Sequence, residues 1–221
     1  MKSLPFTCLL AATAITAHGQ VTTAEEMVER EERVFKGGIV AGANFCQVDG
    51  DSYAGYGKVG LIAGGLVSIR LGKVWNINVG MQYSGRGTRD GHTDSSPYVG
   101  TFIESYYLNL KYIDVPVVFQ FKRALLWGFE GGIGYSRLIS SNEWGYSWSP
   151  VVIDPVANRF NSTDISTLFG GYRFLNKNLV ASLRFQYSAI NIRPAERVPE
   201  RYNMNRGQRN NVVSIFLTYI F

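Results

Sequence analysis

The stretch Trp75-Asn76-Ile77-Asn78-Val79-Gly80-Met81-Gln82-Tyr83-Ser84 decides the fold. Its odd positions are Trp, Ile, Val, Met and Tyr; its even positions are Asn, Asn, Gly, Gln and Ser. Successive side chains of a strand point to opposite faces, so this segment is a strand with one greasy and one polar face. The same period of two returns in Leu179, Ala181, Leu183, Phe185 and Tyr187, set against Ser182, Arg184, Gln186 and Ser188. It returns again at the end of the chain, in Val213, Ile215, Leu217, Tyr219 and Phe221.

Working outward, eight segments carry the pattern, at about 35–47, 58–71, 73–86, 106–122, 125–139, 163–174, 179–189 and 210–221. Each has the ~9–11 residues that a tilted membrane strand needs. The connections at 71–73, 122–124 and 175–178 are tight. Those at 48–57, 87–105, 140–162 and 190–209 are long, polar and rich in Gly, Asn, Ser and Pro. Short turns at one end and long loops at the other characterise outer-membrane barrels. Backbone groups in hydrocarbon must all be paired, so the sheet has to close and strand eight has to pair with strand one. The predicted fold is all-β: an eight-stranded antiparallel up-and-down transmembrane β-barrel. An even strand count puts both termini on the short-turn, periplasmic side.

The greasy faces could line a ligand cavity or meet lipid, and three features favour lipid. The opposite face is rich in Gly60, Gly64, Gly80, Gly128, Gly132 and Gly134, as suits the narrow interior of eight strands. Trp75 and Tyr83 stand eight residues apart on one face, and Trp127 and Tyr135 repeat that spacing. Eight residues at ~3.3 Å, tilted by ~40°, rise about 20 Å, near the ~25 Å band between aromatic girdles. The last alternating strand closes on Phe221 itself. Two registers are less regular. In 106–122, Leu108 and Leu110 share one parity, whereas Ile113, Val115, Val117, Phe119 and Phe121 have the other; a bulge near Leu110–Tyr112, beside Pro116, accounts for this. In 163–174, Leu168, Tyr172 and Phe174 are assigned to the outer face.

The chain has 221 residues, enough for one domain, with 46% apolar, 14% aromatic and 18% charged residues. That excludes a disordered chain and a coiled coil. Residues 1–19 read as a cleaved signal peptide: Lys2, an apolar run through Leu9, Leu10 and Ala11, then Ala17-His18-Gly19. No later stretch approaches the ~18 apolar residues of a spanning helix. Residues 20–34 form an acidic periplasmic segment with Glu25, Glu26, Glu29, Glu31 and Glu32, and the barrel domain occupies 35–221. Loss of Cys8 leaves Cys46 alone, so no internal disulfide is expected. The formal charge is +5, but at this location nucleic acid is not the expected partner. The expected location is the bacterial outer membrane, reached by export.

The segments Gly38-Ile39-Val40-Ala41-Gly42-Ala43-Asn44-Phe45, Lys58-Val59-Gly60-Leu61-Ile62-Ala63-Gly64 and Leu110-Lys111-Tyr112-Ile113-Asp114-Val115-Pro116 resemble the PorT-like outer-membrane β-barrel family of Bacteroidetes. The resemblance runs from about Phe35 to Phe221. It implies an eight-stranded, non-enzymatic protein; the founding member of that family is linked to protein secretion. The alternation Val213, Ile215, Leu217, Tyr219, Phe221 also resembles the C-terminal signal that barrel-assembly machinery reads.

Candidate chemistry is sparse. Lys111, Asp114, Glu130 and Arg184 are assigned to the lumen. Glu130 and Arg184 should sit at similar heights, two strands apart, either as a gate for small ions or as a plug of paired charges. Asp90-Gly91-His92-Thr93-Asp94-Ser95-Ser96 gathers Asp, His and Ser, the groups of an acyltransferase, in one outer loop. Neighbours in a loop seldom hold the geometry of a triad, so no catalytic residue is assigned. With His92 the one histidine left after loss of His18, and no Cys cluster, no metal or cofactor is expected. In the last long loop Arg193, Arg197 and Arg201 either bind lipopolysaccharide phosphates or an acidic partner, or pair with Asp49 and Asp51 of the first. Trp144, Tyr146 and Trp148 either contact an envelope partner or glycan, or pack on the barrel rim. The function expected is structural or interactive, accessory to secretion or adhesion, in contact with outer-membrane lipid and lipopolysaccharide. A narrow gated channel and an acyltransferase using His92 are the alternatives.

Overall fold

The computed structural model describes residues 33–51, 55–90, 105–124, 126–147, 149–151, 153–198 and 206–221. The expected signal peptide, nearly all of the acidic segment, His92, Trp148 and Arg201 lie outside these residues.

Nine strands follow one another: β1 (Phe35–Asp49), β2 (Lys58–Arg70), β3 (Trp75–Asp90), β4 (Ser105–Lys122), β5 (Trp127–Ser147), β6 (Ser149–Val151), β7 (Thr163–Phe174), β8 (Leu179–Ser188) and β9 (Arg209–Ile220). Eight of them form the closed barrel, and β6 is a three-residue return of β5 beyond it. Every pairing is antiparallel, and the sheet closes where β1 meets β9, from Gly38 opposite Ile220 to Asp49 opposite Arg209. The expected segments coincide with these strands, except that β3 and β5 run further at the long-loop end.

The alternation of the sequence becomes an alternation of surroundings. Leu183, Ile215, Leu217, Phe169 and Ile133 stand on the outer face, each roughly half exposed. Gln82, Ser84, Asp114, Ser182, Arg184, Ser214 and Thr218 are buried inside. Water would penalise so large an apolar belt; hydrocarbon does not. Trp75 packs on Phe121 and Trp127 on Phe129 at the short-turn end, one edge of that belt. Tyr83 and Tyr135 mark a second height on the same strands, as the spacing required. The glycines face inward where space is shortest: a Cβ on Gly132 would collide with the Val117 carbonyl, and one on Gly42 with that of Ile215.

Two register expectations need correction. Leu168 and Tyr172 point inward and are 4% exposed, and Phe174 lines the inner short-turn mouth. Leu168 fits there because Gly132 lies opposite it in register, and Tyr172 because Gly128 does. The outer face of β7 mixes Ile165 and Phe169 with Thr167, Gly171 and Arg173, so its pattern has no contrast. In β4 the inward set runs without a slip through Tyr106, Leu108, Leu110, Tyr112, Asp114 and Val118. A bulge does fall at Lys111/Tyr112 in the β4–β5 register, but the extra residue is Ile139 of β5. What changes along β4 is the solvent. At the level of Asp114 and below, the outside is apolar and the inside polar. At Leu110 and above, the outer face carries Lys111 and Asn109, and the inside is a water-excluding core.

Candidate functional site

The lumen is a stack of layers. At the short-turn end lies a vestibule of about 90 Å³. Its inner limit is a charged layer: Arg184 Nε donates to Glu130 Oε1 at 2.6 Å, and Gln120 Nε2 donates to Glu130 Oε2 at 3.0 Å. The Arg184 guanidinium lies 4.7 Å from the centre of the Phe216 ring. Glu130 and Arg184 are thus brought together across β7, as their heights implied. Above them Val40, Ile62 and Phe216 form an apolar waist.

The next layer centres on Arg86, which sequence reasoning missed. Arg86 is fully buried; its Nη2 lies 2.5 Å from Asp114 Oδ2 and its Nη1 3.1 Å from Asp164 Oδ2. It also donates to Ser84 and Ser136, and Tyr112 stacks against it at 4.7 Å. Asp164 Oδ2 accepts further bonds from Ser188 (2.8 Å) and Asn210 (3.0 Å). Asp114 therefore belongs to this layer and not with Glu130 and Arg184. Lys111, expected in the lumen, is exposed on the outer face. A signal for Arg86 existed: it continues the even, inward series Asn76, Asn78, Gly80, Gln82, Ser84. Asp164 has the inward parity of β7, which the flat pattern of that strand concealed.

The outer end is shut by side chains from strands and loops together. Val48, Tyr106, Leu108, Leu110, Tyr112, Ile192 and Val198 form one buried cluster, with Ile153 and Phe160 packed on it. Arg193 is drawn into this cap. It is 0% exposed, donates to Glu143 Oε1 at 2.9 Å and lies 3.8 Å from the Phe160 ring centre. Tyr106 OH donates to the same carboxylate. Arg193 is therefore no surface anchor. Arg197 donates to Asn161 at 3.1 Å, while Asp49 accepts from Gln47 and Asn211. Tyr56, on the rim, donates to Asn211 at 2.7 Å; partial burial and the Asp49 charge hold its phenol above the ordinary value.

Beyond the cap, β3, β4 and β5 continue as a raised sheet. β5 has 21 residues and β4 has 18. Twenty-one residues at ~3.3 Å and ~40° tilt rise about 50 Å, roughly twice the apolar band. On its outer face Arg89, Tyr107 and Trp144 stand side by side in register. The Tyr107 and Trp144 rings stack with centres 4.3 Å apart and planes 12° apart, and Arg89 lies 5.1 Å over Tyr107. Trp144 and Tyr146 thus belong to a strand and not to a loop, and the Trp144 ring is 45% exposed. Among the described residues no group of three His, Cys, Asp or Glu side chains gathers as a metal site. Cys46 is fully buried, its Sγ donating to the Gly85 carbonyl at 3.6 Å.

A closed antiparallel sheet with an apolar belt, aromatic rings at its edge and its charges held inside is an outer-membrane β-barrel. The chain belongs to the outer membrane protein beta-barrel domain family, which its residues 29–193 match. Solved structures similar to it include Ail, the attachment invasion locus protein of Yersinia pestis, in complex with the heparin analogue sucrose octasulfate. That match has 12% identity and a TM-score of 0.46, covering 86% of this chain and 100% of that one. Neisserial surface protein A (NspA) matches at 12% identity and a TM-score of 0.44, over 86% and 98% of the two chains. OprG from Pseudomonas aeruginosa matches at 12% identity and a TM-score of 0.38, over 85% and 94%. No curated protein matches.

Proposed function

We propose that this outer-membrane barrel is a non-enzymatic interaction protein whose working surface is the outer face of the raised β3–β4–β5 sheet. The observation that carries this reading is the Arg89–Tyr107–Trp144 ladder, three side chains aligned in register on a rigid paired scaffold. Stacked exposed rings suit the apolar faces of sugars, and Arg89, with Lys111 four residues from Tyr107 along the same outer face, suits phosphate. Lipopolysaccharide, the sugar-phosphate lipid of the outer leaflet, offers both at this height, and the occupant is its core region. An adhesion or secretion partner would approach over the same face; the likeness of the Ile113-Asp114-Val115-Pro116 region to PorT-like barrels supports the secretion variant. Residues 1–19 act as the export signal. The alternating residues Val213 to Phe221 are offered to the assembly machinery before β9 closes on β1.

The test is binding of purified lipopolysaccharide to the detergent-refolded protein, followed by intrinsic tryptophan fluorescence. Trp144→Ala and Arg89→Ala should each weaken it about tenfold, the loss of ~1.4 kcal/mol expected for one ring or cation contact. Equal affinities in all three proteins would remove the ladder as the site. A channel is disfavoured by the charged layers, the waist and the apolar cap. Neither the native protein nor Glu130→Gln should conduct in planar bilayers, and steady conductance in either would revive that alternative.

A further inference from the structure

The vestibule at the short-turn end is a dead end. Glu130, Arg184 and Gln120 close its floor, and the waist of Val40, Ile62 and Phe216 lies behind them. Whatever enters at the short-turn mouth leaves the same way, so the cavity serves binding and not passage. A volume of about 90 Å³ has room for several waters or one small solute, and none for a folded partner.

Three features of the wall restrict that solute. The first is charge. Arg70 at the end of β2, Lys73 in the turn after it and Lys177 in the β7–β8 turn all line the cavity. Arg70 Nε donates to the Gly72 carbonyl at 3.0 Å, which holds its guanidinium at the turn. Among the described lining residues the one carboxylate is Glu130, and Arg184 and Gln120 engage both of its oxygens. Low-dielectric walls concentrate the field of such cations. The second feature is a pair of idle polar groups. The Tyr172 hydroxyl and the Asn78 side-chain oxygen are buried in this wall and find no hydrogen-bond partner among the described residues. Tyr172 is 4% exposed, so its O–H has lost water without gaining an acceptor. Tyr172 offers a donor and Asn78 an acceptor, the complement of a hydroxylated solute. The third feature is apolar. Leu66, Val180 and Phe216 complete the wall and suit a short carbon skeleton better than a bare ion.

We propose that the vestibule binds a small hydroxylated phosphate ester, with its phosphate beside Arg70, Lys73 and Lys177 and its hydroxyls turned inward to Tyr172 and Asn78. Three cations facing one engaged carboxylate suit a phosphate dianion, which also matches the donor fork of arginine. Glycerol phosphate is the simplest solute with both parts. The phosphatidylglycerol headgroup carries the same group, but the barrel wall stands between the cavity and the bilayer, so the occupant is the soluble ester. This inference is independent of the lipopolysaccharide reading, since the two sites lie at opposite ends of the barrel.

The test is titration calorimetry of glycerol phosphate against the full chain refolded in dodecyl maltoside, at ~0.1 M salt, where charge contacts are only partly screened. The ester should bind, and glycerol alone should not. Binding should weaken about tenfold in Lys73→Gln/Lys177→Gln, which removes two charged contacts. Tyr172→Phe should weaken the ester severalfold and leave inorganic phosphate unchanged, because only a hydroxyl contact is lost. The same variant should unfold in urea no earlier than the native protein, since it removes a group without a partner; a merely structural hydroxyl would show the reverse. Heat-modifiable gel mobility checks that each variant is folded. No binding of the ester by the native protein overturns the proposal, as does equal affinity in Lys73→Gln/Lys177→Gln. Inorganic phosphate binding the native protein as tightly as the ester overturns it too. So does binding that is present in phosphatidylcholine nanodiscs and lost in phosphatidylglycerol ones, which would give the vestibule to lipid headgroups.

Discussion

At the scale of single residues, Arg86 carries the most weight. One guanidinium serves two buried carboxylates and two hydroxyls, using the fork geometry that lysine lacks. Arg86→Met leaves Asp114 and Asp164 buried without a counter-charge, and the expected loss is ~3–5 kcal/mol. Arg86→Lys keeps the charge but not the fork, and should recover only part of that. Urea unfolding in detergent, followed by tryptophan fluorescence, measures both; a Met variant as stable as the native protein would contradict the assignment. The outer face makes the opposite demand. Leu217→Arg at mid-belt should cost ~2–4 kcal/mol by the same measurement, because its charge would face hydrocarbon. The same substitution at Lys111, where the surface is already wet, should be neutral.

At the scale of elements, the β5 bulge makes a sharp prediction. Tyr112 pairs with Leu138 and Lys111 with Ser140, so Ile139 is the one residue without an opposite number. Deleting Ile139 should leave a regular ladder on both sides and a folded barrel, with the Tyr107–Trp144 stack intact. Deleting Ile133 instead reverses the β5 residues between there and the bulge, putting Ser136 outside and Arg137 inside, and should prevent folding. Band mobility on unheated gels separates the two. The sequence was readable wherever one face met lipid along the whole strand, as in β8 and β9. It misled in β4 and β7 for different reasons. In β4 an apolar side chain was equated with the outside, yet Leu108 and Leu110 stand above the belt, where the barrel follows the ordinary rule of an apolar interior. In β7 the bulk of Leu168 and Tyr172 is taken up by glycines on β5, information that lies in another strand.

At the scale of the whole molecule, three readings of the sequence meet in one object. Closure, the apolar belt and the alternation of loop lengths could be read from period and spacing alone. The Glu130–Arg184 pair could be placed by counting residues from the turns. The Arg193 cap could not, because residues of the last long loop enter the barrel mouth by tertiary packing, without a repeat to announce them. Val198→Asp should uncover that cap. The expected result is faster proteolysis at the long-loop end of the folded protein, with the β8–β9 pairing unaffected. Equal rates in both proteins would show that Val198 does not hold the lid.

With the short β6 set aside, all pairs of barrel strands but one join strands that follow one another along the chain. The exception unites Gly38 with Ile220. Hairpins can therefore form in turn, each templated by its predecessor, while the first and last edges wait exposed until the ring is complete. That junction is the seam of the molecule. It fixes the slowest step of maturation, because the longest stretch of polypeptide must be looped before it zips.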